Sequence, residues 1–281
     1  MSLGAIPAPG REGKTMEFKY IIYDQPEPGI GRMTLNRPDR LNAISIPMLD
    51  EMLALYEHLK KDLSVRVLIV TGAGRGFCSG ADLMGDAESK GLAEQAPSAA
   101  IFLEKFQYRY SAMVTELRRI PQPVIAAVNG TAAGIGMCLA LVADVIYAAP
   151  NTGFIASFAN IGLSGGELGS SYLLPRLVGT TRASEILLTG RKVMADEAER
   201  IGMICGVVEQ EKLMDTCMEK ARLMLEKSPM GLRITKRVLD TNASAVSLEA
   251  AVDLENRNQS ILVFTPEFLQ AVMNFGKKKK Q

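Results

Sequence analysis

Apolar and aromatic residues are concentrated over Glu17 to Asp24 and again over Ile30 to Leu35, with Gln25-Pro-Glu-Pro-Gly29 between them. That pattern predicts two short strands closed by a turn, hence a hairpin. From Pro47 to Leu63 the period changes: Met48, Met52, Leu55 and Leu59 recur at helical spacing, with Pro47 suited to the first turn. Val65 to Val70 and Pro123 to Val128 are continuous apolar runs, the pattern of strands buried on both faces. A long helix is predicted over Ile101 to Ile120, ending before Pro121, and further strands over Asp144 to Ala149 and Cys205 to Val208. Asn151 to Ser171 is rich in Gly and Ser. Past Arg182 helical patterns dominate: Ser184 to Leu188, Asp196 to Ile201, Lys212 to Glu226, Gly231 to Leu239, Leu248 to Gln259 and Pro266 to Phe275. The predicted organisation is a leader over 1–15, an α/β core over 16–210 and a helical segment over 211–281.

Composition narrows the function more than the fold. The 281 residues carry 32 basic and 31 acidic side chains, so no strong global field draws the chain to nucleic acid or to an anionic membrane. No apolar run approaches the ~20 residues of a membrane span. Met1 to Thr15 mixes Gly, Pro and charge without an apolar stretch, which reads as a flexible leader and not a signal peptide. Four scattered cysteines and the single histidine, His58, give no metal-ligand spacing, although a site built from carboxylates alone stays open. Any Ser-His or Cys-His nucleophile would have to use His58. Unpatterned cysteines suggest a reduced, cytoplasmic setting.

The chemistry-bearing feature is a move made twice. Val65 to Val70 runs into Thr71-Gly-Ala-Gly-Arg-Gly-Phe-Cys-Ser-Gly-Ala-Asp-Leu83, and Pro123 to Val128 runs into Asn129-Gly-Thr-Ala-Ala-Gly-Ile-Gly136 and a helix over Met137 to Ala143. Glycine-rich turns at strand ends leave backbone N–H groups unpaired, and a helix start adds the positive end of its dipole. Two such turns facing one point would form an oxyanion hole. Val67 to Gly76 also resembles the opening of short-chain dehydrogenases. Against that reading, about sixty residues precede the motif, the Tyr-xxx-Lys spacing of Tyr56 and Lys60 lies upstream of it, and no acidic residue stands where a ribose would be held.

Taken together, Gly80-Ala-Asp-Leu83, the segment Ile125 to Asp144, Leu35-Asn-Arg-Pro38 with Leu41-Asn-Ala43, and Leu174-Pro-Arg-Leu-Val-Gly179 resemble the signature segments of the crotonase, or enoyl-CoA hydratase/isomerase, superfamily. The resemblance runs from about Tyr20 to the C-terminus. It implies a spiral of ββα turns, a C-terminal helical trimerisation segment, a homotrimer or dimer of trimers, and an acyl-CoA thioester substrate. Coenzyme A would be part of the substrate, and no separate cofactor or metal is implied. The oxyanion amides would be those of Ala81 and Ile135; the family usually has glycine at the latter position. Arg40, Leu41 and Ala43 would flank one side of the coenzyme A path and Ser79, Gly80, Asp82 and Leu83 the other, with Gly134 beside the second amide. Basic side chains near the C-terminus would meet the phosphates; the run Lys277 to Lys280 is either that contact or a solubilising tail.

The resemblance also shows a departure. Hydratases of the superfamily use two glutamates, and alignment puts Cys138 and Phe158 at those positions. Adding water needs a base for the water and an acid for Cα, so the usual hydratase parts are missing. Glu167, in Gly162-Leu-Ser-Gly-Gly-Glu-Leu-Gly-Ser-Ser171, stands where dienoyl-CoA isomerases carry a catalytic aspartate. A single carboxylate can move a proton between two carbons while the enolate oxygen rests on the two amides. The structural alternative for Glu167 is a first-turn helix residue complementing the dipole. Double-bond isomerisation is therefore favoured; a variant hydratase and a non-catalytic acyl-CoA-binding homologue remain open. Asp144 and His58 read as structural.

Overall fold

The computed structural model describes residues 17–85 and 98–278. The predicted leader, residues 86–97, and Lys279 and Lys280 lie outside the described residues, as do the side chains of Lys277 and Lys278.

The first hairpin forms, with its turn displaced. Strand β1 (Ile21–Glu27) pairs antiparallel with β2 (Ile30–Leu35), Ile21 opposite Leu35 and Glu27 opposite Ile30. The strand runs through Gln25 and Pro26, which the sequence assigned to the turn, because a register shift between Asp24 and Glu27 absorbs them. As β1 is the edge strand, the missing N–H of Pro26 costs no central ladder bond.

From β2 onward the main sheet is parallel, in the order β1, β2, β3 (Val67–Gly72), β4 (Val124–Val128), β6 (Val145–Ala148), β9 (Gly206–Val207). Every residue of β3 and β4 is buried, as their unbroken apolar runs required. A second stack of very short strands lies beside it: β5 (Ala132–Ala133), β7 (Gly153–Ile155) and β8 (Lys192–Met194), prolonged by single bridges between Ile44 and Ala81 and between Cys78 and Ala132. After each main strand from β2 to β6 the chain therefore touches the second stack before it leaves the sheet, which is a spiral of ββα turns.

Helix α1 (Ile46–Lys61) follows the first turn of the spiral, capped by Ser45, and buries Met48, Leu49, Met52, Leu55, Tyr56 and Leu59. The second turn ends in α2 (Ala99–Phe102), which passes through a π-helical stretch, Leu103–Gln107, into α3 (Tyr108–Arg119). The third ends in α4 (Ile135–Leu141), which starts two residues before the predicted Met137. Helix α5 (Ser170–Val178) begins where the Gly and Ser rich stretch ends, followed by α6 (Thr180–Thr189) and α7 (Ala195–Arg200). Beyond β9 come α8 (Leu213–Leu225), α9 (Pro229–Asn242), α10 (Leu248–Leu262) and α11 (Pro266–Lys278). Leu213, Cys217, Met218 and Ala221 of α8 close a second apolar cluster with Ile30, Val67, Ile69, Ile125 and Ala127 of the sheet. Asp144 has the structural role expected of it: its carboxylate accepts from the Val124 amide and pairs with Arg118 and Lys236.

Candidate active site

The two glycine turns meet. A Cβ on Gly136 would lie 2.2 Å from the Cys78 carbonyl oxygen, so only glycine lets the first turn of α4 press against the segment after β3. Gly80 has φ +116°, and a Cβ there would lie 3.3 Å from the Ala133 oxygen and 4.0 Å from the Ile135 nitrogen. Ala81 and Ile135 thus stand on adjoining backbone.

Neither amide has a protein acceptor among the described residues. In the bridge between Ile44 and Ala81, the Ile44 amide donates to Gly80 O at 2.8 Å and the Asp82 amide donates to Ile44 O at 3.0 Å. The Ala81 N–H between them has no protein acceptor among the described residues. Ile135 is the first residue of α4 and its N–H is one of the helix's orphan donors, while Gly134 N–H is taken by Ile155 O at 2.8 Å. Two buried asparagines fix the approach loops. Asn42 Nδ2 donates to Ala73 O and Gly76 O, both at 2.9 Å, and Asn129 Nδ2 donates to Gly74 O at 2.9 Å.

A cavity of about 410 Å³ opens on these amides. Its walls are mainly apolar, with Leu83, Phe102, Tyr110, Phe158, Ile161 and Leu168, and its polar groups include Ser79, Gln107 and Glu167. Seven of the residues singled out from the sequence line it: Ser79, Gly80, Ala81, Leu83, Gly134, Ile135 and Glu167. Among the described lining residues Glu167 is the sole carboxylate. Arg40, Leu41 and Ala43 do not line the cavity; Leu41 O accepts from the Ser79 amide at 3.0 Å and Arg40 O from Ser79 Oγ at 3.4 Å, so they buttress its rim.

Asp82 turns away from the cavity. Its carboxylate pairs with Arg37 at 2.7 Å, with both side chains 6% exposed, and accepts from the Gly85 amide at 3.0 Å. Arg37 also donates to Ala43 O. This pair clamps the loop before α1 to the residue following Ala81. Asp82→Asn is expected to lower the unfolding free energy by about 2 kcal/mol, since it leaves a buried guanidinium without its counter-charge. Urea denaturation measures this; a midpoint equal to wild type would show that the clamp carries no stability.

Glu167 is presented by a strained turn. Leu168 has φ +46° and Gly169 φ +84°, two successive left-handed residues, the first uncommon for a non-glycine. Ser170 locks the turn: its Oγ donates to Gly165 O at 3.1 Å and accepts from the Glu167 amide at 2.9 Å. Glu167 consequently precedes α5 and its cap, outside the first turn where a purely dipole-complementing residue would sit. Its Oε1 accepts from the Leu168 amide and from Gln107 Nε2.

Of the two positions where the resemblance places hydratase glutamates, Phe158 forms part of the cavity wall and Cys138 lies behind it, its Sγ donating to the Glu167 carbonyl at 3.4 Å. Burial, and then the neighbouring Glu167 charge, push the Cys138 thiol up to about 12, so it stays protonated and unreactive. His58 is on the outer side of α1, 3.6 Å from Asp62, and takes no part in the cavity. The sequence did not single out Gln107, Phe102 or Tyr110 for the site. They reach the cavity through the packing of α2 and α3, which no local motif announces.

The sequence model of the family described as Enoyl-CoA hydratase/isomerase matches residues 25–281. Over 265 residues the chain is 42% identical to the Mycobacterium leprae protein named "Probable enoyl-CoA hydratase echA12", covering 92% of this chain and 88% of that one. Over 264 residues it is 35% identical to the 1,2-epoxyphenylacetyl-CoA isomerase of Escherichia coli K12, covering 94% and 97%. Among solved structures, a monofunctional enoyl CoA isomerase from M. smegmatis superposes with a TM-score of 0.68 at 42% identity, covering 83% of this chain and 98% of that one.

Proposed function

The chain belongs to the enoyl-CoA hydratase/isomerase family, and from that premise we propose that it isomerises the double bond of an enoyl-CoA thioester with Glu167 as the proton carrier. The observation that carries the proposal is the cavity that holds two free backbone amides and one carboxylate among its described lining residues. The thioester oxygen accepts from the Ala81 and Ile135 N–H groups, which strengthen as negative charge develops there. Glu167 takes a proton from C2 of a 3-enoyl thioester; the C–H pair becomes part of a dienolate whose charge rests on the thioester oxygen. The protonated carboxyl then returns the proton to C4, leaving a double bond between C2 and C3. No second acid or ordered water is needed, in keeping with Cys138 and Phe158 at the positions that resemble those of the hydratase glutamates. Coenzyme A enters as part of the substrate and the chemistry calls for no other cofactor or metal.

Ser79 and Leu83 would flank the thioester, with Arg40, Leu41 and Ala43 holding the rim along the coenzyme A path and the basic tail meeting phosphates. A homotrimer or dimer of trimers is the matching assembly, supported by the exposed apolar side chains of Leu239, Leu248, Phe264 and Met273 after α8. A cytoplasmic location is supported by Cys78, Cys138, Cys205 and Cys217 all being free thiols. No helix among the described residues is long and apolar enough to cross a membrane.

The second reading is hydration by a variant route, favoured by the hydratase name of the M. leprae relative. Mass spectrometry of 3-enoyl- and 2-enoyl-CoA esters after incubation separates the two. Isomerisation is expected to leave the mass unchanged and to create the absorbance of a conjugated thioester. A product heavier by one water, formed from the 2-enoyl ester, overturns the isomerase reading, and bound but unaltered ester identifies an acyl-CoA-binding protein.

A further inference from the structure

Helix α2 and α3 present three side chains to the cavity, Phe102, Gln107 and Tyr110, while Phe106 is buried in the core. In an unbroken α-helix the face is repeated by residues three or four apart, so Phe106 would follow Phe102 and Gln107 would lie well round the cylinder. The π-helical stretch Leu103–Gln107 inserts one extra residue into that turn. Its effect is to send Phe106 to the core and bring Gln107, five residues after Phe102, onto the cavity side.

There Gln107 Nε2 donates to Glu167 Oε1, the same oxygen that receives the Leu168 amide at 3.2 Å. Glu167 Oε2 has no protein partner among the described residues. Two donors on one oxygen fix the carboxylate plane and leave the other oxygen free to exchange a proton. We infer that Gln107, placed by the π turn, is the positioning residue that fixes the plane of the Glu167 carboxylate and leaves Oε2 as its reactive oxygen. The inference rests on the reading of Glu167 as proton carrier only for its catalytic consequence; the hold of Gln107 on the carboxylate stands apart from it.

Two other described titratable groups near this carboxylate, Cys138 and Tyr110, do not compete for the role. Cys138, from α4, meets the Glu167 carbonyl and keeps its proton. Tyr110, from α3, is held neutral by burial, which pushes its phenol up to about 12. Neither changes charge in the range where a carboxylate titrates.

Gln107→Leu preserves size and removes the donor, and Gln107→Glu replaces it with a like charge. A carboxylate that loses a donor binds its proton more tightly, and one facing another carboxylate more tightly still. In carbon-detected NMR of the full chain, the midpoint of the Glu167 carboxyl titration is expected to rise by about one pH unit in Gln107→Leu, a tenfold change in proton affinity, and further in Gln107→Glu. The acid limb of the kcat profile is expected to move with it, while KM changes little. An unmoved Glu167 titration in both Gln107 variants overturns the inference. A titration that moves while the rate profile does not keeps the inference and overturns Glu167 as proton carrier, and inactivity of Glu167→Gln with unmoved Gln107 titrations does the reverse.

Discussion

Exchanging Glu167 for Gln is expected to lower kcat for double-bond isomerisation about a thousandfold, within the range that a positioned acid–base contributes. The amide has nearly the size of the carboxylate and retains an oxygen for the Leu168 N–H and Gln107 Nε2, so the turn from Gly165 to Ser170 has no reason to reorganise. What disappears is the capacity to take a proton from one carbon and give it to another. With no other carboxylate among the described lining residues and a Cys138 thiol that stays protonated, no described neighbour substitutes for it. KM should change much less than kcat, since the substitution leaves the Ala81 and Ile135 amides of the proposed oxyanion hole unaltered. Steady-state kinetics on a 3-enoyl-CoA ester decides the matter; a variant with more than a tenth of wild-type kcat would place the proton transfer elsewhere.

The amides themselves admit an equally direct assay. No ordinary substitution deletes a backbone N–H, but proline does, and Ile135 occupies the first position of α4, where proline's missing donor and fixed φ are tolerated. Ile135→Pro is expected to lower kcat by about 10²- to 10³-fold, the usual consequence of losing one oxyanion donor. Ile135→Val keeps the N–H and much of the apolar bulk, and should stay within a few-fold of wild type. Thermal denaturation of both variants tests for a folding defect. Equal activity in the proline and valine variants at equal stability would remove Ile135 from the oxyanion hole.

The main sheet was legible because Val67 to Val70 and Val124 to Val128 are apolar on both faces, a pattern that survives any local context. The second stack was not. Ala132, Ala133 and Gly153–Ile155 form strands too short to show alternation, and they exist because the spiral brings Cys78 and Phe154 to either side of β5. Ala81 and Ile135 were singled out through the family resemblance, and both line the cavity. Glu167 was singled out by register against a known pattern and lines the cavity, though its strained turn and its place ahead of α5 were not foreseen. Asp82 was grouped with the coenzyme A path by its neighbours Gly80, Ala81 and Leu83, whereas its partner Arg37 lies far upstream and only the fold joins them. Gln107 was invisible for a similar reason: its direction depends on one extra residue in a helical turn, and hydrophobic periodicity read with a constant step assigns that turn to the wrong face.

The packing of α8 against the sheet also governs how the chain emerges from a ribosome. Ile30, Val67, Ile69, Ile125 and Ala127 form an apolar face that Leu213, Cys217, Met218 and Ala221 cover. A nascent chain that has already assembled β2, β3 and β4 must carry that face uncovered until α8 has been synthesised. The interval runs from Val128, the end of β4, to Leu213, the start of α8. During that time the face is a natural contact for chaperones and for other unfinished copies of the same chain.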